Sequence, residues 1–168
     1  MKHIHFIEGP VGAGKSTYAK AFAARGGFTH IALDEWFVRL FSPDRPKDNF
    51  IPWYAERKAR LITLIINYAR TILDSNNSVA LELGLIQRGP RVELLRQLQQ
   101  EGISFSIHLL DAPKNIRHER VKRRNLEQGA SFSMLVPDHV FDIASNMWEA
   151  PDEIELEEFD FVFPSNSA

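Results

Sequence analysis

There is no cysteine anywhere in the 168 residues. Disulfides, thiolate metal centres and a cysteine nucleophile are therefore excluded, and the composition suits a reducing compartment. Charge of one sign is not in excess either: 20 Lys and Arg stand against 22 Asp and Glu, a net charge of −2. No global field draws the chain to nucleic acid or to an anionic membrane. Long apolar runs are missing too. The run 4–7 is broken by His5 and closed by Glu8, and "LITLIINYA" (61–69) is short for a bilayer span and runs into Arg70. The expectation is a soluble, cytoplasmic protein with no membrane partner. The six histidines show no metal-ligand spacing, and there is no internal repeat or low-complexity tract.

What is present is an ordinary globular balance, 44% hydrophobic and 25% charged, with length for one domain over 1–168. Strand-like and helix-like segments alternate. "HIHFIE" (3–8) reads as a strand, and a helix follows from Lys15 to about Ala24, stopped by Gly26-Gly27. "THIALDE" (29–35) is a second strand, and the proline-bearing stretch 42–52 is an irregular excursion. A helix is expected over 53–74, a strand over 78–85, and a helix after Gly89-Pro90 with Val92, Leu95 and Leu98 on one face. "SFSIHLLDA" (104–112) is a fourth strand, followed by a basic helix over 113–124, a polar loop over 125–137, a helix over 138–148 and a last strand over 159–163. Such alternation predicts an α/β fold with a parallel sheet.

Gly9-Pro10-Val11-Gly12-Ala13-Gly14-Lys15-Ser16 satisfies G-x-x-x-x-G-K-[ST] in full, between a strand and a helix. Glycines allow the backbone to turn its N–H groups onto phosphate oxygens, and the helix adds its positive end. The expected nucleotide-binding set is Gly9, Val11, Gly12, Ala13, Gly14, Lys15, Ser16 and Thr17. Lys15 reaches the β/γ-phosphates, and the Ser16 hydroxyl holds Mg²⁺. ATP and Mg²⁺ are the expected cofactors.

The loop alone does not choose among transfer, hydrolysis and sensing. No N-K-x-D segment is present for reading guanine, which argues against a Ras-type GTPase. "IALDE" (31–35) imitates a Walker B strand, but Asp34 follows Lys15 by only 19 residues, too early for that role. Four further segments are informative: "LDEWFVRLF" (33–41), "LELGLIQRGPR" (81–91), "LLDAPKNIRHERVKRRN" (109–125) and "WEAPDE" (148–153). On these the chain resembles a bacterial family of small P-loop kinases labelled "AAA domain". Its relatives include polynucleotide 5′-hydroxyl kinase, chloramphenicol phosphotransferase, and gluconate and shikimate kinases. The resemblance implies a nucleoside-monophosphate-kinase-like P-loop NTPase fold: a parallel five-stranded sheet flanked by helices, with a short lid over about 113–137.

Asp34, at the end of an apolar strand, is either the carboxylate that takes the proton of an attacking hydroxyl or a helix N-cap. Arg39, a turn further on, faces an acceptor or solvent. Glu82, near the end of the third strand, occupies the place where the resembled family holds Mg²⁺-bound water. Arg88 contacts the acceptor or begins a solvated helix. Lys114, Arg117, Arg120, Lys122, Arg123 and Arg124 crowd one helix beside a single acid, Glu119. An anion explains such a cluster, and Arg120 and Arg124 are the expected lid arginines that stabilise transferring phosphoryl oxygens. In the resembled family the region of Trp148 approaches the adenine, whereas the acids of 148–160 read as a solvated edge or loose partners of the basic helix. The aromatics at 36, 37, 41, 50, 53 and 54 suggest an apolar wall to the acceptor pocket.

The expectation is a kinase moving the γ-phosphoryl group of MgATP to a hydroxyl of a small metabolite, an antibiotic or a nucleic-acid end. The last is the least supported by net charge. A P-loop ATPase or a nucleotide-binding switch is the alternative.

Overall fold

The computed structural model describes residues 2–129 and 134–164. Five strands, β1 (Ile4–Glu8), β2 (Thr29–Ala32), β3 (Val79–Glu82), β4 (Phe105–Leu109) and β5 (Phe161–Val162), form one sheet in the order β2-β3-β1-β4-β5. Every pairing is parallel. Among the described residues seven α-helices accompany it: α1 (Lys15–Gly26), α2 (Leu33–Phe41), α3 (Phe50–Asp74), α4 (Arg88–Gln100), α5 (Lys114–Glu127), α6 (Asp138–Met147) and α7 (Glu153–Glu158). This is the expected P-loop NTPase fold of the kinase type. β1 lies centrally, paired with β3 on one side and β4 on the other, and the chain passes from β1 to the edge strand β2 before returning to β3. The crevice at the carboxyl ends of these strands is the switch point where open parallel sheets bind ligands.

Both sheet faces are covered, and β3 is buried along its whole length. Alternation along β1 sends Ile4 and Phe6 into one core with Leu61, Ile65 and Ala69 of α3 and Leu95 and Leu98 of α4. Ile7 turns to the opposite face, where it packs with Ala13, Ala19 and Leu110.

Several expected boundaries shift for local reasons. β2 stops at Ala32, which serves as the N-cap of α2, so Asp34 lies in the first helical turn and is neither a strand residue nor the cap. α3 begins at Phe50, because Pro52 needs no intrahelical partner for its nitrogen in a first turn. α5 continues to Glu127, past the expected start of the polar loop, and residues 130–133 of the expected lid lie outside the described residues.

The acidic run 148–160 requires a larger correction. It contains α7, capped by Asp152 through the Glu155 N–H at 2.9 Å. Its acids pair with α4 rather than with the basic helix. Glu155 and Arg91 are each only 1% exposed and form a bidentate pair at 2.6 and 2.9 Å. Arg91 also donates to the carbonyls of Leu85 (2.9 Å) and Glu149 (3.0 Å). Arg96 meets Glu158 at 2.6 Å on the surface.

The histidines also converge more than their spacing indicates. Parallel pairing of β1 and β4 sets His5 opposite Ser106 and brings His3, His5 and His108 together. His5 Nδ1 lies 3.2 Å from His108 Nε2, the Tyr18 hydroxyl 2.7 Å from His108 Nδ1, and His3 bridges Ser104 and Ser106 at 2.8 and 3.0 Å. Burial, reinforced by charge on His3 and His108, pulls His5 down to about 4, and burial lowers His3 and His108 too. The folded state therefore resists protonation that the unfolded chain accepts near pH 6.5. Stability should be full above that pH and fall as the pH drops toward 4. The cluster should lose about 1–2 kcal/mol after allowance for its partial exposure. Urea melts of wild type and His5→Phe at pH 7 and 4.5 check this: the variant should be the less acid-sensitive of the two.

Candidate active site

The phosphate loop is tight because two glycines accept what no other residue would. Gly9 has φ 147°, and a Cβ there would lie 2.0 Å from the Leu110 carbonyl oxygen; at Gly12, φ 79°, it would lie 2.6 Å from that of Arg117. β4 and α5 therefore press directly on the loop. Lys15 donates to the carbonyls of Gly9 and Pro10, both at 2.9 Å, and its enclosure lowers its pKa against the pull of Glu82, Glu8 and Asp34. A phosphate brought into the loop would give this ammonium stronger partners than neutral carbonyls.

Glu82 ends β3 beside the loop, and its Oε1 accepts from the Ser16 hydroxyl at 2.9 Å. Its Oε2 is buried without a partner, and burial raises its pKa against the opposing charge of Lys15. A hydroxyl and a carboxylate with an unspent oxygen form a hard, all-oxygen donor set of the kind Mg²⁺ takes, directly or through water. Residues 9–16 and this pair thus fit a magnesium nucleotide. No group of three or more acidic or histidine ligands occurs among the described residues.

Asp34 is exposed at the start of α2. Its charge acts on Lys15, Lys58, Tyr54 and Arg124, so the acid lies within electrostatic range of the phosphate-loop lysine. Arg124 comes from α5, feels both Asp34 and Glu82, and keeps its Nε buried with no partner. Arg120 lies over the loop: its Nη1 would be 3.8 Å from a Cβ on Gly14. Arg117, on the same helix face, has a different place. It is buried and donates to the carbonyls of Ala112 (3.0 Å) and Val11 (2.9 Å), so it braces the loop.

Other expected residues make different contacts. Arg88 pairs with Asp152 at 2.7 Å, and its backbone N–H donates to Glu149 at 2.6 Å. Arg39 is exposed in the last turn of α2. Trp148 lines a cleft with Asp111, Ala112, Pro113, Lys114 and Arg117, next to the loop-bracing residues. Thr17 is exposed at the start of α1. Of the aromatics, Phe37 is buried, with Tyr54 at 4.8 Å and Trp53 at 5.8 Å between ring centres.

Two residues of the crevice were not singled out from the sequence. Lys58, in α3, donates to the Gly84 carbonyl at 2.7 Å, and burial lowers its pKa against Asp34 and Glu8. Glu8 ends β1; burial pushes it up to about 7 despite Lys15, and its Oε2 accepts from the Leu85 N–H at 3.0 Å. A glutamate closing an apolar strand just before the phosphate loop was a readable signal. Lys58, one cation among several in a long helix, was not.

Residues 4–150 match the family described as "AAA domain". No curated protein matches the sequence. Among solved structures, a sugar kinase from Janibacter sp. HTCC2649 superposes with TM-score 0.64 at 15% identity, over 98% of this chain and 85% of that one. A Chloroflexus aurantiacus j-10-fl protein, provisionally assigned as a kinase, gives 0.72 at 16% identity, over 97% and 84%. A chain of the Pnkp1/Rnl/Hen1 RNA repair complex gives 0.66 at 19% identity, over 95% of this chain but 47% of that one. At these identities the likeness establishes the fold.

Proposed function

This chain belongs to the AAA-domain family, and on that premise we propose that it transfers the γ-phosphoryl group of ATP to a hydroxyl of an acceptor. The observation that carries this reading is the convergence of Lys15, Asp34, Glu82 and Arg124 on one crevice, with Glu82 Oε2 and Arg124 Nε buried and unpartnered. Such atoms are costly to leave unsatisfied. A nucleotide's magnesium and phosphates supply the missing partners.

Residues 9–17 hold the phosphates, with Lys15 drawn from its carbonyls to the β/γ-oxygens. Ser16, and Glu82 through water, hold Mg²⁺, which when bound neutralises phosphate charge. Asp34 accepts the acceptor's proton as the hydroxyl oxygen forms its bond to phosphorus and the bond to ADP breaks. Arg120 and Arg124 stabilise the equatorial oxygens and, with the lid over 113–137, exclude water. The base of ATP would lie in the cleft beside Trp148, and Arg39 and Arg88 are assigned to the acceptor. The chain is read as one domain, 1–168. No helix among the described residues is long and apolar enough to cross a membrane.

The test is ADP release across a panel of sugars, nucleosides, 5′-hydroxyl oligonucleotides and antibiotics. The oligonucleotides belong there because a structural neighbour comes from an RNA repair complex. At least one acceptor should stimulate release about tenfold or more over the hydrolytic background. Fast, saturable release that no acceptor changes would make the protein an ATPase instead.

A further inference from the structure

The kinase reading leaves Glu8 and Lys58 without a task, yet both hold the same peptide. Lys58 Nζ donates to the Gly84 carbonyl at 2.7 Å, and the Leu85 N–H donates to Glu8 Oε2 at 3.0 Å. In a trans peptide these two groups point to opposite sides, so an ammonium and a carboxyl group grip the Gly84–Leu85 unit from either edge. The grip falls where the backbone is least constrained by itself. Gly84 leaves β3 at φ 61°, a left-handed conformation that glycine enters and leaves freely, and the two bonds select one orientation of its peptide. The groups that follow are held as well: Arg91 donates to the Leu85 carbonyl and the Glu149 N–H to that of Ile86, both at 2.9 Å.

The β1–β3 ladder is in register from Ile4 and Val79 to Phe6 and Leu81. Glu8 and Glu82 both lie beyond it, one leading into the phosphate loop and the other ending β3. Ser16 stands at the far end of that loop, where its hydroxyl meets Glu82 Oε1 at 2.9 Å. The separation of the two strand exits therefore governs whether this pair is in place for a metal. We propose that Glu8 and Lys58 are positioning residues for the Ser16–Glu82 pair: through the Gly84–Leu85 peptide they fix the exit of β3 against β1 and α3. This rests on the assignment of that pair to Mg²⁺ in the proposed function. Both residues act indirectly, through backbone groups two and three positions beyond Glu82.

The experiment is calorimetry of ATP binding to the full chain, in EDTA and in saturating Mg²⁺. Mg²⁺ should tighten binding about tenfold or more in wild type, and groups that orient a metal's ligands are commonly worth about 10–100-fold in metal affinity. In Glu8→Leu and Lys58→Met the gain from Mg²⁺ should fall to about a third of the wild-type gain or less, while affinity in EDTA moves less than about threefold. Glu8→Gln and Lys58→Arg keep an acceptor and a donor in place and should restore most of the gain. Burial pushes Glu8 up to about 7, so the neutral amide is a close stand-in. Adding Glu8→Leu to Glu82→Gln should cost nothing more, because the ligand to be oriented is already gone. If Glu8→Leu does not fold, Lys58→Met, at a half-buried position, decides. The inference is overturned if the variants keep the wild-type gain. It is also overturned if affinity falls as much in EDTA as in Mg²⁺, which would make the grip a support of the whole loop. Phosphoryl transfer stands in both cases, since acceptor-stimulated ADP release reads it separately. If Mg²⁺ adds nothing in wild type, Ser16 and Glu82 hold no metal and the inference falls with that assignment. If the gain behaves as expected but no acceptor stimulates ADP release, the inference stands and transfer falls.

Discussion

Asp34→Asn should lower kcat for acceptor-dependent ADP release by about 10²–10⁴-fold, the usual worth of a positioned general base. The amide keeps the shape of the side chain and removes the proton acceptor. The KM for ATP should move less than threefold, because Asp34 supplies none of the loop's phosphate-binding groups. Lys15→Ala is the counterpart. It takes away the ammonium held at 2.9 Å from the Gly9 and Pro10 carbonyls, the group we propose reaches the β/γ-phosphates. It should weaken ATP binding and abolish turnover with every acceptor. Steady-state kinetics of the two variants, with ATP affinity from calorimetry, separates transfer from nucleotide holding. If Asp34→Asn keeps more than a tenth of the wild-type kcat, Asp34 is not the base.

Glu155→Ala should be the most destabilising single change outside the phosphate loop, at about 3–5 kcal/mol. It strands the Arg91 guanidinium, 1% exposed, without its bidentate partner. For a chain of this size that corresponds to a fall in Tm on the order of 10 °C. The effect should reach the active site, since Arg91 holds the Leu85 carbonyl and the Leu85 N–H holds Glu8. Replacing both partners, as in Arg91→Met with Glu155→Leu, should recover most of the stability, because the cost lies in the unpaired charge. Thermal and urea melts of the single and double variants check this; a loss under 1 kcal/mol in Glu155→Ala would show that water reaches Arg91.

The acidic run also shows why part of the fold was hidden. A stretch such as "WEAPDEIELEEFD" resembles a solvated edge because charge is normally exposed. Glu155 is buried only because Arg91, 64 residues away, arrives at the same place. Asp34 stood out in the sequence as a candidate site residue, whereas its place in a helix did not. "THIALDE" continues a strand pattern through Asp34, and only packing of Leu33 and Phe37 into the core turns the chain into α2. In α5 the i, i+3, i+7 spacing put Arg117, Arg120 and Arg124 on one face. Which of them braces the loop and which is left over it depends on how α5 seats on Gly12.

The sequence by itself determined the phosphate loop, the alternation of strands and helices, and the residues placed within a few positions of a strand end. These are local: a glycine pattern, a hydrophobic period and a lysine-serine pair act through neighbours along the chain. Only the tertiary structure decided that Glu82 meets Ser16, that His5 meets His108 across β1 and β4, and that Arg91 and Glu155 pair in the interior. Those contacts join residues 64 to 103 positions apart. They exist because parallel pairing brings the carboxyl ends of distant strands to one edge, where each buried charge needs a partner the chain does not provide nearby.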